Sequence, residues 1–131
     1  MTNEPSKAQR EHILIVDGDR EASKSLAGLL NAAGYAEIRA VRSTSRALAV
    51  AATFQPAIAF LGTPAPDGIE GSLAALLQKN SRAHVIRLIG LTDRAEHPTR
   101  EEARASGVER YLSTPVTQIE LEKALRKAPG G

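Results

Sequence analysis

The run Ile13-Leu14-Ile15-Val16-Asp17-Gly18-Asp19 decides the fold of this chain. From His12 to Val16 it is aliphatic and rich in β-branched side chains, and it stops abruptly at Asp-Gly-Asp. A short apolar run with this ending predicts a strand that is buried on both faces. Ligands of parallel sheets bind beyond the carboxyl ends of the strands, so the polar residues after Val16 are candidates for a site.

The rest of the chain repeats this alternation of apolar runs and helical periodicity. It predicts strands at His12–Val16, Glu37–Val41, Ile58–Leu61, Val85–Leu91 and Glu109–Leu112. It predicts helices over Arg20–Ala33, from a cap at Ser43 or Thr44 to before Pro56, around Leu73–Leu77 closing near Asn80, over Pro98–Ser106, and after the capping box Thr117-Gln118-Ile119-Glu120. Five such alternations favour an α/β protein with a parallel sheet covered by helices on both faces.

Three further motifs follow the opening run in a familiar order: Phe60-Leu61-Gly62-Thr63-Pro64, Gly90-Leu91-Thr92 and Tyr111-Leu112-Ser113-Thr114-Pro115. With the opening run, they resemble the response-regulator receiver domain, the CheY-like superfamily. The resemblance implies a flavodoxin-like, doubly wound sheet of five parallel strands in the order 2-1-3-4-5. It covers one domain from residue 12 to 127, and we expect residues 1–11 and 128–131 to form flexible tails.

The resemblance also implies a site whose key residues are changed. We expect the degenerate phosphoacceptor pocket to consist of Asp17, Gly18, Asp19, Gly62, Thr92 and Thr114. In the family, the positions of Gly18, Gly62 and Thr114 hold an acid, the aspartate that accepts the phosphoryl group, and a lysine. Thr92 keeps the family's hydroxyl residue, and Tyr111 keeps its switch aromatic.

Those three changes remove three different chemical roles. Phosphorylation of an aspartate needs a carboxylate nucleophile, a Mg²⁺ ion and cationic partners for the phosphoryl oxygens. Gly62 has no side chain, Asp17 is left as a lone metal-binding acid, and the hydroxyl of Thr114 carries no charge. The sequence therefore predicts a pseudo-receiver, a non-enzyme with no catalytic residues, no metal and no cofactor.

Three alternatives stay open from the residues alone. One is a receiver phosphorylated at an unconventional acceptor such as Asp67 or Thr63, with Asp17 and Asp19 holding metal, although Asp67-Gly68 is typical of a turn. Another is a module that binds a small ligand in the glycine-lined cleft at Gly62. A third interpretation makes Asp17 a hydrogen-bond acceptor for the start of the next helix.

Composition limits the other classes of function. The 131 residues carry a net charge of +2, with only two Tyr and two Phe and no Trp, which favours neither a basic patch nor a stacking platform for nucleic acid. No cysteine is present, and His12, His84 and His97 show no metal-ligand spacing. We find neither a signal-peptide pattern nor a membrane span, and expect a cytoplasmic protein.

Binding to another protein is the function that remains. The resemblance implies two-component, or phosphorelay, signal transduction through a histidine kinase, a phosphotransfer protein, an output protein or a second copy of the chain. Receivers commonly bind such partners through the fourth helix, the fifth strand and the fifth helix. Here that face corresponds to Pro98–Ser106, Glu109–Leu112 and Gln118–Lys127.

Overall fold

The computed structural model describes residues 11–63, 70–80, 85–92, 101 and 107–126. The strands are β1 (His12–Val16), β2 (Glu37–Val41), β3 (Ile58–Thr63), β4 (Arg87–Thr92) and β5 (Arg110–Ser113). The helices with described bounds are α1 (Arg20–Ala32), α2 (Thr44–Phe54), α3 (Glu70–Asn80) and α4 (Gln118–Arg126). Most of the predicted helix over Pro98–Ser106 lies outside the described residues, so α4 corresponds to the predicted fifth helix.

All strand pairs are parallel, and the sheet order is β2-β1-β3-β4-β5. The predicted fold class is therefore confirmed: a doubly wound sheet of the flavodoxin-like type. The order reverses beside β1, which pairs with β2 on one side and with β3 on the other. Val16, the last residue of β1, is in register with Val41 of β2 and with Leu61 of β3, so the carboxyl ends of these three strands lie close together.

Two apolar layers cover the sheet, one on each face. Side chains alternate along each strand, so that Ile13 and Ile15 join one layer and Leu14 and Val16 join the other. The first layer packs against α1 and α4, and the second packs against α2 and α3. Because both faces are covered, the strands read as continuous apolar runs in the sequence.

The helix ends follow local chemistry. Asp19 caps α1 through bonds from the N–H groups of Glu21 and Ala22, and Ser43 caps α2 through a bond from the N–H of Arg46 at 3.2 Å. Gly34 follows α1 with a φ of 102°, the left-handed conformation that its lack of a Cβ allows. Sequence reasoning missed Gln55, which ends α2 with a φ of 49°.

The bounds of three strands differ from the prediction, and β5 is displaced by one residue, to Arg110–Ser113. β3 continues through Gly62 to Thr63, so Gly62 is a strand residue rather than a loop residue. β4 begins at Arg87 rather than Val85, because Ile86 pairs with a side chain instead of a strand. The amide of Gln78 donates to the carbonyl oxygen of Ile86 at 2.8 Å and accepts from its N–H at 2.9 Å.

Arg87 ties the opposite, amino edge of the sheet to α4. Its guanidinium donates to the carbonyl oxygen of Leu125 at 2.8 Å and to that of Ala124 at 2.6 Å. These carbonyls belong to the last turn of α4, whose groups have no partner within the helix. The first residue of β4 therefore fixes the end of the last helix.

Candidate functional site

The residues predicted for the site meet at the carboxyl edge of the sheet. Asp17 directly follows β1, and Gly62 lies in β3 beside Leu91 of β4. Thr92 ends β4, and its carbonyl oxygen accepts a hydrogen bond from the N–H of Thr114 at 2.8 Å. The fold thus brings together residues that lie almost a hundred positions apart in the chain.

The side chain of Asp17 lies against the backbone of Gly62. A Cβ atom at position 62 would lie 2.8 Å from Cγ of Asp17 and 2.9 Å from its Oδ2, closer than Cβ atoms normally approach other atoms. Gly62 itself is buried. The Asp17 carboxylate therefore occupies the space where a side chain at position 62 would begin.

Burial changes the proton affinity of this carboxylate. Desolvation raises the pKa of Asp17 above its ordinary value, and the nearby charge of Asp19 raises it further. A hydrogen bond from the backbone N–H of Asp19 to Oδ1, at 2.9 Å, lowers the pKa in part. Asp17 is consequently a partly desolvated acid held by one backbone donor.

Asp19 is committed to the start of α1. Its Oδ1 accepts hydrogen bonds from the N–H of Glu21 at 2.9 Å and from that of Ala22 at 3.3 Å. The helix-capping role considered for Asp17 therefore belongs to Asp19, while Asp17 accepts from the residue just before the helix. Gly18, between them, lines an open groove together with Arg42 and Arg46.

The hydroxyl positions lie on the other side of the pocket. Thr92 is 1% exposed, and Thr114 is half-buried beyond the end of β5. Neither side chain carries a charge. The residue type at position 114 therefore offers hydrogen bonds but not the Coulomb attraction that a lysine offers to a phosphoryl group.

The fold family implies Mg²⁺ at this edge, and the residues present do not fit that ion. Mg²⁺ needs near-octahedral oxygen coordination through one or two carboxylates together with water and phosphate. Of the described carboxylates at this edge, Asp19 caps α1 and Asp17 remains, and desolvation raises the pKa of Asp17 above its ordinary value. Within the described ranges, no group of three or more acidic or histidine side chains is placed to hold a metal ion.

The ring of Tyr111 covers another glycine close to this pocket. Gly90 and Tyr111 are register partners in β4 and β5. A Cβ atom at position 90 would overlap Cδ1 and Cε1 of the ring and would lie 3.1 Å from Cζ. Tyr111 is half-buried as a result, on the same face of the sheet as Thr92.

An apolar cavity of about 280 Å³ lies beside the pocket, between α1 and the segment after β5. Its lining includes the apolar residues Leu26, Leu29, Leu91, Pro115 and Val116 and the acids Asp19 and Glu21. Thr114 also lines it, so this cavity and the strand-end pocket share a residue. The space at Gly62, by contrast, is filled by Asp17.

Several predicted positions fall outside what can be described. Asp67 lies in 64–69, His84 in 81–84 and His97 in 93–100, all outside the described residues. Thr63 belongs to β3 by its backbone, and its side chain is likewise outside the description. Of the helices in the described part of the chain, none is long and apolar enough to cross a membrane.

Comparison with known proteins identifies the family. The family model of the response regulator receiver domain matches residues 13–126, which is nearly the whole chain. The chain therefore belongs to the response-regulator receiver family, whose members are signalling domains that work with kinases, phosphotransfer proteins or output proteins. A search of curated protein sequences found no significant match.

Solved structures agree with the fold. A two-component response regulator from Clostridium difficile superposes with a TM-score of 0.77 at 22% identity, over 89% of this chain and 93% of that one. The signal receiver domain of an HD domain-containing protein from Pseudomonas fluorescens Pf-5 gives 0.75 at 26% identity, over 89% and 92%. The chemotaxis response regulator CheY4 of Vibrio cholerae gives 0.74 at 20% identity, over 88% and 96%.

Sequence reasoning missed two contacts at this edge. It identified the absence of a side chain at Gly62 but did not predict that the Asp17 carboxylate lies in that space. It also treated Tyr111 alone, without Gly90. The strand register supplies the signal for the second pair, because a glycine in a buried strand often marks a close approach by a neighbouring group.

Proposed function

We propose that this chain is a pseudo-receiver of two-component signalling, which does not accept a phosphoryl group and acts by binding another protein. The observation that carries the proposal is the Asp17 carboxylate lying over Gly62. The position that would need a nucleophile has no side chain, and the neighbouring acid fills the space. A phosphoryl group at this edge would meet a partly desolvated carboxyl and the neutral Thr114.

Electrostatics supports the same conclusion. Transfer of a phosphoryl group depends on cations that neutralise the charge of its oxygens in the transition state. In the family those cations are Mg²⁺ and a lysine. Asp17 alone is a poor Mg²⁺ site, because it is left without the second acid of the family, and burial raises its pKa above the ordinary value. Loss of the metal site and replacement of the lysine by Thr114 thus both remove positive charge that would stabilise the transferring phosphoryl group.

The surface we assign to partner binding combines β5, α4 and the segment Pro98–Ser106, most of which lies outside the described residues. Ile119, in the first turn of α4, is a large apolar side chain that is 73% exposed. Protein interfaces concentrate their binding energy in such apolar anchors surrounded by polar side chains. Lys123 and Glu120 on the same helix are exposed and can form that polar surround.

Two experiments test the absence of phosphorylation. The protein is incubated with Mg²⁺ and radiolabelled acetyl phosphate, beside a receiver with an intact acceptor as the positive control. We expect label on the control and none on this chain. Mg²⁺ with beryllofluoride, a phosphoryl mimic, should leave its amide spectrum unchanged. Label that maps to Asp67 or Thr63 would replace this proposal with an unconventional acceptor.

A matched pair of variants tests the binding face. Ile119→Glu and Val85→Glu change side chains of nearly equal exposure, 73% and 77%, at different places on the molecule. Tagged proteins are used to capture partners from the native cell, and sedimentation measures self-association. We expect a two-component signalling protein, or a second copy, to be lost with Ile119→Glu and retained with Val85→Glu. Equal capture by both variants would contradict this face.

A further inference from the structure

Gly90 is an unusual residue for its position in the fold. It lies in the middle of β4, between Ile89 and Leu91, and it is buried. A glycine there gives up side-chain packing and loses more conformational entropy on folding than other residues do. A glycine inside a strand often marks a place where another group comes close to the backbone.

The group that comes close is the ring of Tyr111. The two residues are register partners in adjacent parallel strands, so their Cα atoms lie side by side. One edge of the ring, Cδ1 and Cε1, lies where the first side-chain atom of any other residue at position 90 would be. Even an alanine at position 90 would need the ring to move.

The Tyr111 side chain has other staggered rotamers. β5 is the last strand in the sheet order, and Tyr111 is half-buried rather than enclosed. Rotation about its Cα–Cβ bond to another staggered rotamer would carry the ring off Gly90. A side chain at position 90 would exclude the rotamer that lies on β4.

The ring of Tyr111 lies on the backbone of β4 and not on the residues of the strand-end pocket. Ring atoms meet Gly90, whereas the pocket residue on this face, Thr92, lies two positions further along the strand. Asp17 is separated from the ring by β3, because β1 pairs with β3 and β3 pairs with β4. The ring thus contacts the backbone of β4 and not the acid that follows β1.

We propose that Gly90 is a backbone seat that holds the Tyr111 ring across β4 in one inward position, whatever the chemical state of the strand-end pocket. The surface around β5 is then presented in one form. This inference does not rest on the proposed function, since it concerns the position of a ring and not the acceptance of a phosphoryl group.

The native protein offers the first test, which needs no variant. In an NMR spectrum, the Hα protons of Gly90 should show cross-relaxation with the Tyr111 ring and should lie upfield of those of Gly28, which has open space where a Cβ would lie. In Tyr35→Phe, where Tyr111 is the only tyrosine, acrylamide should quench the fluorescence only weakly.

Variants then test the seat itself. Gly90→Ala in the Tyr35→Phe background should raise the quenching of Tyr111 toward that of free tyrosinamide, and Gly28→Ala should not. Asp17→Asn and Thr114→Lys should leave the Gly90 Hα shifts unchanged. If Gly90→Ala does not fold, the cross-relaxation in the native protein and the two pocket variants still decide.

Three results would overturn the proposal. One is a native protein without ring cross-relaxation to Gly90. Another is a quenching of Tyr111 that Gly90→Ala leaves unchanged. The third is a shift of the Gly90 Hα signals in Asp17→Asn comparable with that in Tyr111→Leu, which would mean that the pocket controls the ring.

Discussion

Arg87 and Glu109 face each other through two hydrogen bonds, from Nε to Oε1 at 3.0 Å and from Nη2 to Oε2 at 2.8 Å. Their side chains are 18% and 8% exposed, so the pair is largely removed from water. The hydrogen bond to Glu109 raises the pKa of Arg87 above its ordinary value, although burial opposes this effect. The same guanidinium donates hydrogen bonds to two carbonyl oxygens in the last turn of α4.

Arg87→Met should therefore be among the most destabilising substitutions outside the apolar layers. Removal of Arg87 takes both of these hydrogen bonds from Glu109 and leaves it only the longer ion pair with Arg110, whose Nε lies 3.5 Å from Oε2. Loss of one partner from a buried pair costs about 3 kcal/mol. Urea unfolding measures the loss. The control is Arg46→Met, on an exposed side chain, which should change the free energy of unfolding by less than about 0.5 kcal/mol. Equal effects of the two variants would contradict the structural role of Arg87.

Asp17→Asn should make the protein more stable at neutral pH. The pKa of Asp17 is raised in the folded state, so the folded protein holds this proton more tightly than the unfolded chain does. The contribution of Asp17 to the free energy of unfolding of the wild-type protein is fully present below about pH 4, the ordinary aspartate range. It is lost as the pH rises through the raised pKa. Asparagine keeps an oxygen for the N–H of Asp19 and removes the charge.

The measurement is the free energy of unfolding of both proteins between pH 3 and pH 8. Their difference should be smallest at the acid end and should grow in favour of Asp17→Asn toward neutrality. Glu37→Gln, on an exposed residue of β2, serves as the control and should shift stability by less than about 0.5 kcal/mol. A constant difference over the whole pH range would mean that Asp17 is not desolvated.

Gly62→Ala should destabilise the protein through Asp17 alone. The added methyl group would lie 2.8 Å from Cγ of Asp17, and crowding of this kind in a packed site costs about 1–3 kcal/mol. The double variant Asp17→Ala with Gly62→Ala removes both partners of the clash. We expect a double-mutant cycle to show a coupling of about 1 kcal/mol or more.

Gly28→Ala controls for the loss of a glycine as such. Gly28 is exposed in α1 with open space around it, so alanine there should stabilise the helix by about 0.5–1 kcal/mol. Additive effects of Asp17→Ala and Gly62→Ala would show that the carboxylate does not fill the space at Gly62.

Thr117→Ala tests the start of α4. The N–H of Glu120 donates to Oγ1 of Thr117 at 3.2 Å, and the hydroxyl of Thr117 donates to Oε1 of Glu120 at 3.1 Å. Loss of such a cap costs about 1 kcal/mol. Thr53→Ala inside α2 is the control, since Thr53 is exposed and bonds only its own helix, and alanine there should be neutral or stabilising. A cap that does not form would make the two variants equivalent.

Gly62→Asp alone should not create a phosphorylated protein. The new carboxylate would displace Asp17 without gaining a second acid at Gly18 or a lysine at Thr114. The triple variant Gly18→Asp, Gly62→Asp, Thr114→Lys supplies all three, and we expect it to accept phosphoryl groups at least in part. Its charges would then meet the requirements of phosphoryl transfer at the right edge of the sheet.

Radiolabelled acetyl phosphate with Mg²⁺ reports the outcome, and circular dichroism verifies folding. The matched control replaces Gly62→Asp by Gly62→Asn within the triple variant, which keeps the shape without the nucleophile and should stay unlabelled. Label on the single variant, or none on a folded triple variant, would contradict this account of the pocket.

The apolar runs of the sequence were enough to predict that five strands exist, because buried parallel strands leave continuous apolar runs such as Ile13–Val16. The position of Gly62 at the pocket also followed from sequence, since its place after an apolar run fixed it at the carboxyl edge. The orientation of Asp17 did not follow, because a side-chain rotamer depends on the space left by a residue far away in the chain. The contact between Gly90 and Tyr111 required the strand register, which no local pattern contains.

The carboxylate of Asp17, lying in the space at Gly62, has a consequence for how such a protein can be controlled. Under the proposed function, a pocket filled by its own side chain would leave the chain insensitive to chelators and to changes in cellular magnesium. Under the proposed function, the fraction of partner bound then follows the concentrations of the two proteins and their affinity. The cell would adjust the signal through synthesis and degradation, and the output would be a measure of copy number.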